Sequence, residues 1–187
     1  MVPTNEFKKG VKVLIDGDPY NIIDAQFVKP GKGSAFTRTK FKNLIDGRII
    51  EQNVRSGNSF PRADTEEVDM EYLYSDGEMF HFMNTSSYEQ MEVRADSLGD
   101  VAKFLVENIK VKVMLFNGRP ISVDLPNFVE LEITYCEPGI RGDTAQGATK
   151  PATLSTGAIV NVPLFVEQGE WIRVDTRTSS YTDRVKR

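Results

Sequence analysis

The segment Ala35-Phe36-Thr37-Arg38-Thr39-Lys40-Phe41-Lys42 alternates with period two: Ala35, Thr37, Thr39 and Phe41 fall on one face, Phe36, Arg38, Lys40 and Lys42 on the other. A strand with this pattern sends one side into a core and displays three cations in a row on the other. Outward from here the same period returns. Val11, Val13 and Ile15 alternate with Lys12 and Leu14 before Asp16-Gly17-Asp18-Pro19 turns the chain. Tyr72 to Tyr74, Ser75-Asp76-Gly77-Glu78 and Met79 to Met83 read as a second hairpin, rich in β-favouring residues. One stretch has a helical period instead: Leu98, Val101, Ala102, Leu105 and Ile109, behind a Ser97/Asp100 pair that resembles a capping box. The fold class is mainly β, with small barrels and one short helix in the middle of the chain.

Sliding the sequence by 51 residues superposes Val111 on Val162, Gly118 on Gly169, Ile121 on Ile172, Val123 on Val174 and Asp124 on Asp175. The match predicts strand, Gly turn, strand twice in one register, so the second and third parts of the chain read as the same kind of small barrel. The five-stranded oligonucleotide/oligosaccharide-binding (OB) fold fits both. Breaks at Asn58-Ser59-Phe60-Pro61 and Asp124-Leu125-Pro126-Asn127 set domains at 1–63, 64–126 and 127–187.

The 187 residues carry 40% hydrophobic and 27% charged side chains, a globular composition that excludes disorder and collagen. The net charge of -4 disfavours a nucleic-acid partner as an average, but it is unevenly spread. Residues 1–63 hold 11 basic and 6 acidic side chains, residues 64–126 hold 5 and 13, and residues 127–187 hold 7 and 8. Because a charge is screened within about 8 Å at physiological salt, a phosphate backbone responds to the local patch, and the first domain is the one able to bind RNA. One cysteine, Cys136, excludes an internal disulfide. Met1 to Lys12 has no apolar core of signal-peptide length. The most apolar stretch, Gly157 to Val166, is interrupted by Asn161 and Pro163, short of the roughly 18 residues of a membrane span. A cytoplasmic protein without a membrane partner is expected.

Between two strand-like segments lies Val28-Lys29-Pro30-Gly31-Lys32-Gly33-Ser34-Ala35-Phe36. Pro30 fixes its own φ, while Gly31 and Gly33 permit positive φ, so the chain can reverse with Lys32 at the apex. A lysine between two glycines has no flanking side chains to shield it: it can enter a narrow RNA-lined crevice or be reached by a modifying enzyme. A lysine at a hairpin tip can equally serve only to keep the loop soluble. The loop is not a phosphate-binding Walker loop, since Gly33 stands where Ser or Thr is required, nor a dinucleotide fingerprint, since Phe36 stands where the third Gly belongs.

Lys29-Pro30-Gly31-Lys32-Gly33-Ser34-Ala35-Phe36 resembles the modified loop of bacterial translation elongation factor P. Lys150-Pro151-Ala152-Thr153-Leu154-Ser155-Thr156-Gly157-Ala158, continuing to Val162-Pro163-Leu164-Phe165-Val166, resembles the C-terminal signature of the same family, and Asn127-Phe128-Val129-Glu130-Leu131-Glu132 also fits. The resemblance spans the chain and implies an N-terminal KOW or SH3-like barrel followed by two OB-fold barrels. It implies a monomeric, non-enzymatic factor that binds the ribosome between the peptidyl and exit sites. There it would position the 3′ end of the peptidyl-tRNA in the P site and relieve stalling at consecutive prolines. Lys32 would carry the effect, supported by Pro30, Gly31 and Gly33, after a lysyl-tRNA-synthetase-like enzyme adds a β-lysyl-type extension, hydroxylated or not. No other cofactor is implied.

The same resemblance matches Gly142-Asp143-Thr144 to a loop facing the exit-site mRNA codon, and Tyr181 and Arg184 to C-terminal residues of ribosome and tRNA binding. Arg38, Lys40 and Lys42 are candidate tRNA-backbone contacts on physical grounds alone. Asp64, Glu66, Glu67 and Asp69 read as a solvated surface, with ribosomal proteins of the exit-site region as the basic partners an acidic barrel would suit. His81, the single histidine, sits in an apolar strand and reads as packing; Cys136 has no second Cys or His at metal spacing, so no metal is expected. The alternatives are a divergent paralogue, or an OB-fold RNA-binding protein with another target. A Schiff-base enzyme is disfavoured because such a lysine is desolvated to lower its pKa, and a loop tip is the opposite environment.

Overall fold

In the computed structural model, which describes residues 1–139 and 147–187, the chain forms β1 (Val2–Pro3), β2 (Lys12–Ile15), β3 (Asp18–Val28), β4 (Phe36–Asn43), β5 (Ile49–Arg55) and β6 (Ser59–Phe60) in its first third. β2 to β5 pair antiparallel in chain order, and β1 pairs with β6. Only Asp16 and Gly17 turn the first hairpin, both with positive φ (53° and 85°), as a two-residue turn matched to strand twist requires. Asp18 and Pro19 already belong to β3, opposite Ile15 and Leu14. β4 realises its alternation: Thr37, Thr39, Phe41 and Asn43 are buried, and Arg38, Lys40 and Lys42 are exposed. Phe41, fully buried, meets Phe7, Tyr20 and Phe60 edge-on at ring-centroid distances of 6.1, 6.4 and 5.8 Å. These rings close a core completed by Val2, Val13, Ile22 and Val54. A β-bulge at Ile23 interrupts the β3–β4 ladder between Ile22↔Phe41 and Asp24↔Lys40.

Two five-stranded sheets follow this four-stranded one. β7 (Thr65–Ser75), β8 (Met79–Asn84), β9 (Gln90–Arg94), β10 (Lys110–Phe116) and β11 (Arg119–Asp124) are ordered β11-β10-β7-β8-β9. β12 (Phe128–Cys136), β13 (Thr149–Leu154), β14 (Ile159–Pro163), β15 (Trp171–Asp175) and β16 (Ser180–Val185) are ordered β14-β13-β12-β15-β16. Numbering each set from its first strand gives the order 3-2-1-4-5 in both. The sheets are of one kind, but the sequence repeat pointed to the wrong partners. β10 and β11 form a hairpin through Asn117-Gly118, whereas β14 and β15 do not pair, because Pro163 ends β14 and β15 crosses to β12. The counterpart of β10 is β15. By compactness the chain divides into Met1–Val68 with Val113–Ser122, and Asp69–Lys112 with Val123–Arg187; β7, β10 and β11 run from one unit into the other.

The short helix expected in the middle of the chain is present, but it covers only the start of the Leu98–Ile109 stripe. A one-turn helix, α1 (Ala95–Leu98), has Arg94 at its N-cap without a side-chain cap, so Ser97 lies inside the turn instead of capping it. Gly99, at φ 55° and ψ -127°, stops it, and a 3₁₀ segment Gly99–Phe104 follows. The apolar residues that mimicked a helical stripe have another destination. Phe104 is buried in the core of the last sheet with Val129, Leu131, Ile133, Leu154, Val160 and Ile172, and Val106, Ile109 and Leu125 pack against it.

His81 is buried, stacked on Tyr74 at 4.3 Å between centroids. Its Nε2 lies 3.3 Å from Asp76 Oδ2 and its Nδ1 3.6 Å from Glu92 Oε1, so it packs and also ties a turn to a neighbouring strand. Asp76 Oδ1 accepts the backbone N–H groups of Met79 (2.8 Å) and Glu78 (3.0 Å), and these bonds, with His81, hold its carboxyl below the usual carboxylate range. A lowered folded value stabilises the protein above the unfolded pKa and is lost as acid protonates the folded group. Asp76→Ala is therefore expected to unfold at lower denaturant than wild type at neutral pH. The difference should close as pH falls from about 4 through the lowered value. A difference that stays constant in denaturation series at both pH values would remove Asp76 from the acid response.

Candidate functional site

β3 and β4 stay paired to Val28↔Phe36, and Ser56 N–H, just past β5, donates to Ala35 O at 3.0 Å, bracing the outgoing arm. Phe27 pairs with buried Thr37 and Thr37 with the core residue Val54, so the loop from Lys29 to Ser34 starts just past the last level of the core. Gly33 takes φ +109°, and a Cβ there would meet only Pro30 Cγ at 3.9 Å. Gly31 does not use positive φ, contrary to expectation; the space around it is open, so what it contributes is the absence of a side chain beside Lys32. Lys32 is exposed and, among the described residues, without a hydrogen-bond or ion-pair partner.

On the outer face of β4, Arg38 lies between Gln26 of β3 and Asn53 of β5, Lys40 between Asp24 and Glu51, and Lys42 between Asn21 and Ile49. The Lys40 Nζ–Glu51 Oε2 pair, at 3.9 Å with both side chains half exposed, is weak and open to exchange for another anion. The carboxylates beside Lys40 could not be read from the sequence because register and the bulge decide who sits opposite. The sequence reading thus finds the cations and misses their neighbours.

Tyr181 and Arg184 are on β16, in the other compact unit. Tyr181 is half-buried against the core, which raises its phenol pKa, while Arg184 lies 4.9 Å over the Phe165 ring and 3.3 Å from Glu170 Oε1. Two further arginines there escaped the sequence reading. Arg177 binds Asp175 through two nitrogens, at 3.1 and 2.8 Å, and covers Phe128; Arg187 stacks on Trp171 at 3.9 Å and reaches Glu130. Isolated Arg and aromatic residues give no sequence signal of stacking until strand pairing brings them together. Gly142, Asp143 and Thr144 lie outside the described residues. Across the described residues that flank them, buried Lys150 donates through Nζ to Glu137 O at 2.7 Å, and Gly139 admits the Leu164 carbonyl so closely that a Cβ would lie 2.6 Å from its oxygen. Among the described residues no group of three or more His, Cys, Asp or Glu could hold a metal, Cys136 is buried and free, and no helix is long and apolar enough to cross a membrane.

Comparison with known proteins adds identity to this geometry. The archaeal structure titled eukaryotic translation initiation factor 5A, from Methanococcus jannaschii, is similar at TM-score 0.53 and 23% identity, over 64% of this chain and 88% of that one. A translation initiation factor eif-5a family protein from Naegleria fowleri is similar at TM-score 0.53 and 18% identity, over 66% of this chain and 96% of that one. At such identities the likeness is one of fold. The family descriptions are more specific: the elongation factor P KOW-like domain matches residues 3–60, the elongation factor P OB domain residues 65–123, and the elongation factor P C-terminal domain residues 129–184. Three matches in one order, over nearly the whole described fold, place this mainly β chain among translation factors: it belongs to the elongation factor P family.

Proposed function

We propose that this protein binds the ribosome between the peptidyl and exit sites and positions the 3′ end of the P-site peptidyl-tRNA through a modified Lys32, so that peptide bonds form at consecutive prolines. The observation that carries the reading is Lys32 itself: exposed, without a partner among the described residues, and held at the tip of a braced hairpin. Proline is a conformationally restricted nucleophile, so holding its electrophilic partner in attack geometry recovers an orientation-dependent part of the barrier. The protein needs no reactive group of its own for this and acts without being an enzyme. A β-lysyl-type extension, hydroxylated or not and added by a lysyl-tRNA-synthetase-like enzyme, lengthens the reach and adds donors; the clear space around Lys32 suits both the enzyme and the crevice.

In this reading the three domains are 1–63, 64–126 and 127–187, in a cytoplasmic monomer. Tyr181 and Arg184 give a second ribosomal contact, Gly142-Asp143-Thr144 faces the exit-site codon, and the acidic middle domain meets ribosomal proteins of the exit-site region. Arg38, Lys40 and Lys42 hold tRNA phosphates, which predicts a salt effect. Replacing all three with Gln is expected to flatten the slope of log affinity for ribosomes against log salt by about two units, at roughly 0.7–0.9 per phosphate contact. An unchanged slope removes them from the interface. The central test is mass spectrometry of the Lys29–Ser34 peptide from native protein, expected to show added mass on Lys32. Unmodified Lys32 together with full polyproline synthesis by Lys32→Ala overturns the proposal.

A further inference from the structure

We infer that Lys8, Lys9, Lys12 and Arg62 form a second phosphate-binding cluster, continuous with the β4 cations, that holds an RNA backbone; the inference rests on the ribosome-binding function proposed above. All four line one open cavity of about 470 Å³, with Gly10 and Thr65 on its wall. Their backbones are fixed. Lys8 to Val11 is a turn closed by Val11 N–H to Lys8 O at 3.2 Å, with Gly10 at φ +95° in the position that requires it. Gly10 N–H also donates to Ile22 O at 2.8 Å, docking the turn on β3. Arg62 is held by its bridge to Val13 and by the flanking bonds Leu14 N–H to Pro61 O (2.8 Å) and Ala63 N–H to Lys12 O (3.2 Å).

Counter-charge is sparse. Lys8, Lys9 and Arg62 are exposed, and among the described residues the carboxylate paired with them is Glu6, 4.0 Å from Arg62 with both side chains well exposed. Among the described residues Lys12 reaches its neighbour Gly10 O, at 3.4 Å. The cluster also joins the β4 face, because Lys12 pairs with Asn21 and Asn21 with Lys42, which sets all three side chains in one row across three strands. At roughly 4.8 Å between strands and 6.6 Å between alternate residues, the track from Lys12 through Lys42 and Lys40, which Asp24 and Glu51 flank, to Arg38 runs about 23 Å. That exceeds the screening length of about 8 Å, so its two ends act on separate anions. A polyanion with a fixed repeat meets this, and a single acidic side chain does not. No large exposed apolar residue lines the cavity, so the apolar anchor that membrane-surface binding uses is missing.

The test uses the full chain and purified bacterial ribosomes in a salt series. Lys8→Ser/Lys9→Ser/Arg62→Ser is expected to make the slope of log affinity against log salt shallower by about two units, additively with the β4 replacements. A control, Arg94→Ser/Lys103→Ser/Arg119→Ser, removes the same charge elsewhere and is expected to leave the slope unchanged. An unchanged slope in the cluster variant, or an equal change in the control, overturns the inference while the ribosome-binding reading stands. Wild-type protein without salt-dependent ribosome binding overturns both. Weakened binding of the cluster variant to polyglutamate with no change on ribosomes reassigns the surface to an acidic protein and also overturns it. If the triple variant loses its thermal unfolding transition, Lys9→Glu alone provides the same readout, with a slope change of about one unit expected and no change overturning.

Discussion

Lys32→Ala, prepared alongside natively modified protein, is expected to drop synthesis through consecutive prolines to the rate of ribosomes without the factor, a fall of at least tenfold, or about 1.4 kcal/mol in the barrier. Lys32 supports nothing in the fold, so thermal stability should stay within the roughly 0.5 kcal/mol typical of surface changes. Binding should persist, because the cations of β4 are untouched. The expected split, lost rate with retained ribosome affinity, separates positioning from attachment. Lys32→Arg sharpens it further: the charge remains but the side chain can no longer be acylated at an ε-amine, and the same loss is expected. Polyproline synthesis by Lys32→Arg equal to that of the native protein would show that charge alone suffices and remove the modification from the mechanism.

The second large effect lies far from the loop. Phe104→Ala is expected to destabilise the unit that contains the last sheet by about 3–5 kcal/mol, the usual loss for a buried aromatic. Phe104 comes from the 3₁₀ segment before β10, yet it is 3% exposed within a core whose other members run from Val129 to Val174. The single tryptophan, Trp171, is on β15 and reports on that sheet without added labels. In chemical denaturation the Trp171 fluorescence midpoint should fall with Phe104→Ala, and by less with Phe104→Leu, which leaves a smaller void. A Trp171 transition that stays put would mean that the two segments unfold independently despite sharing a core.

The mainly β class and the display face of β4 were legible in the sequence because both depend on a period of two, which needs no knowledge of partners. Arg38, Lys40 and Lys42 are exposed for the same local reason that Thr37, Thr39 and Phe41 are buried. What needed partners was not legible. The Leu98–Ile109 stripe has a helical spacing, but Gly99 breaks it and Phe104 answers to a different sheet. The 51-residue repeat found real similarity in alternation and turns, yet aligned β10 with β14 because strands of one polarity pattern look alike until their neighbours are known. Gly31 and Gly33 look equivalent on paper; only the backbone distinguishes the one that bends the chain from the one that clears space. The basic cluster of Lys8, Lys9, Lys12 and Arg62 was hidden for the simplest reason, since Arg62 lies 50 residues from Lys12 in the chain.

The bulge at Ile23 gives the hairpin a lever. It bends and twists β3 one residue past the core residue Ile22, and so sets the direction in which the paired ends of β3 and β4 carry the loop. Over an arm of about 20 Å, each change of roughly 10° at the pivot carries the tip through about 3.5 Å. Misplacement of only about 1 Å can cost a hundredfold when an effect depends on orientation. The aim of Lys32 is thus set by one extra residue at the fulcrum, which makes deletion of Ile23 a change in trajectory more than a change in sequence.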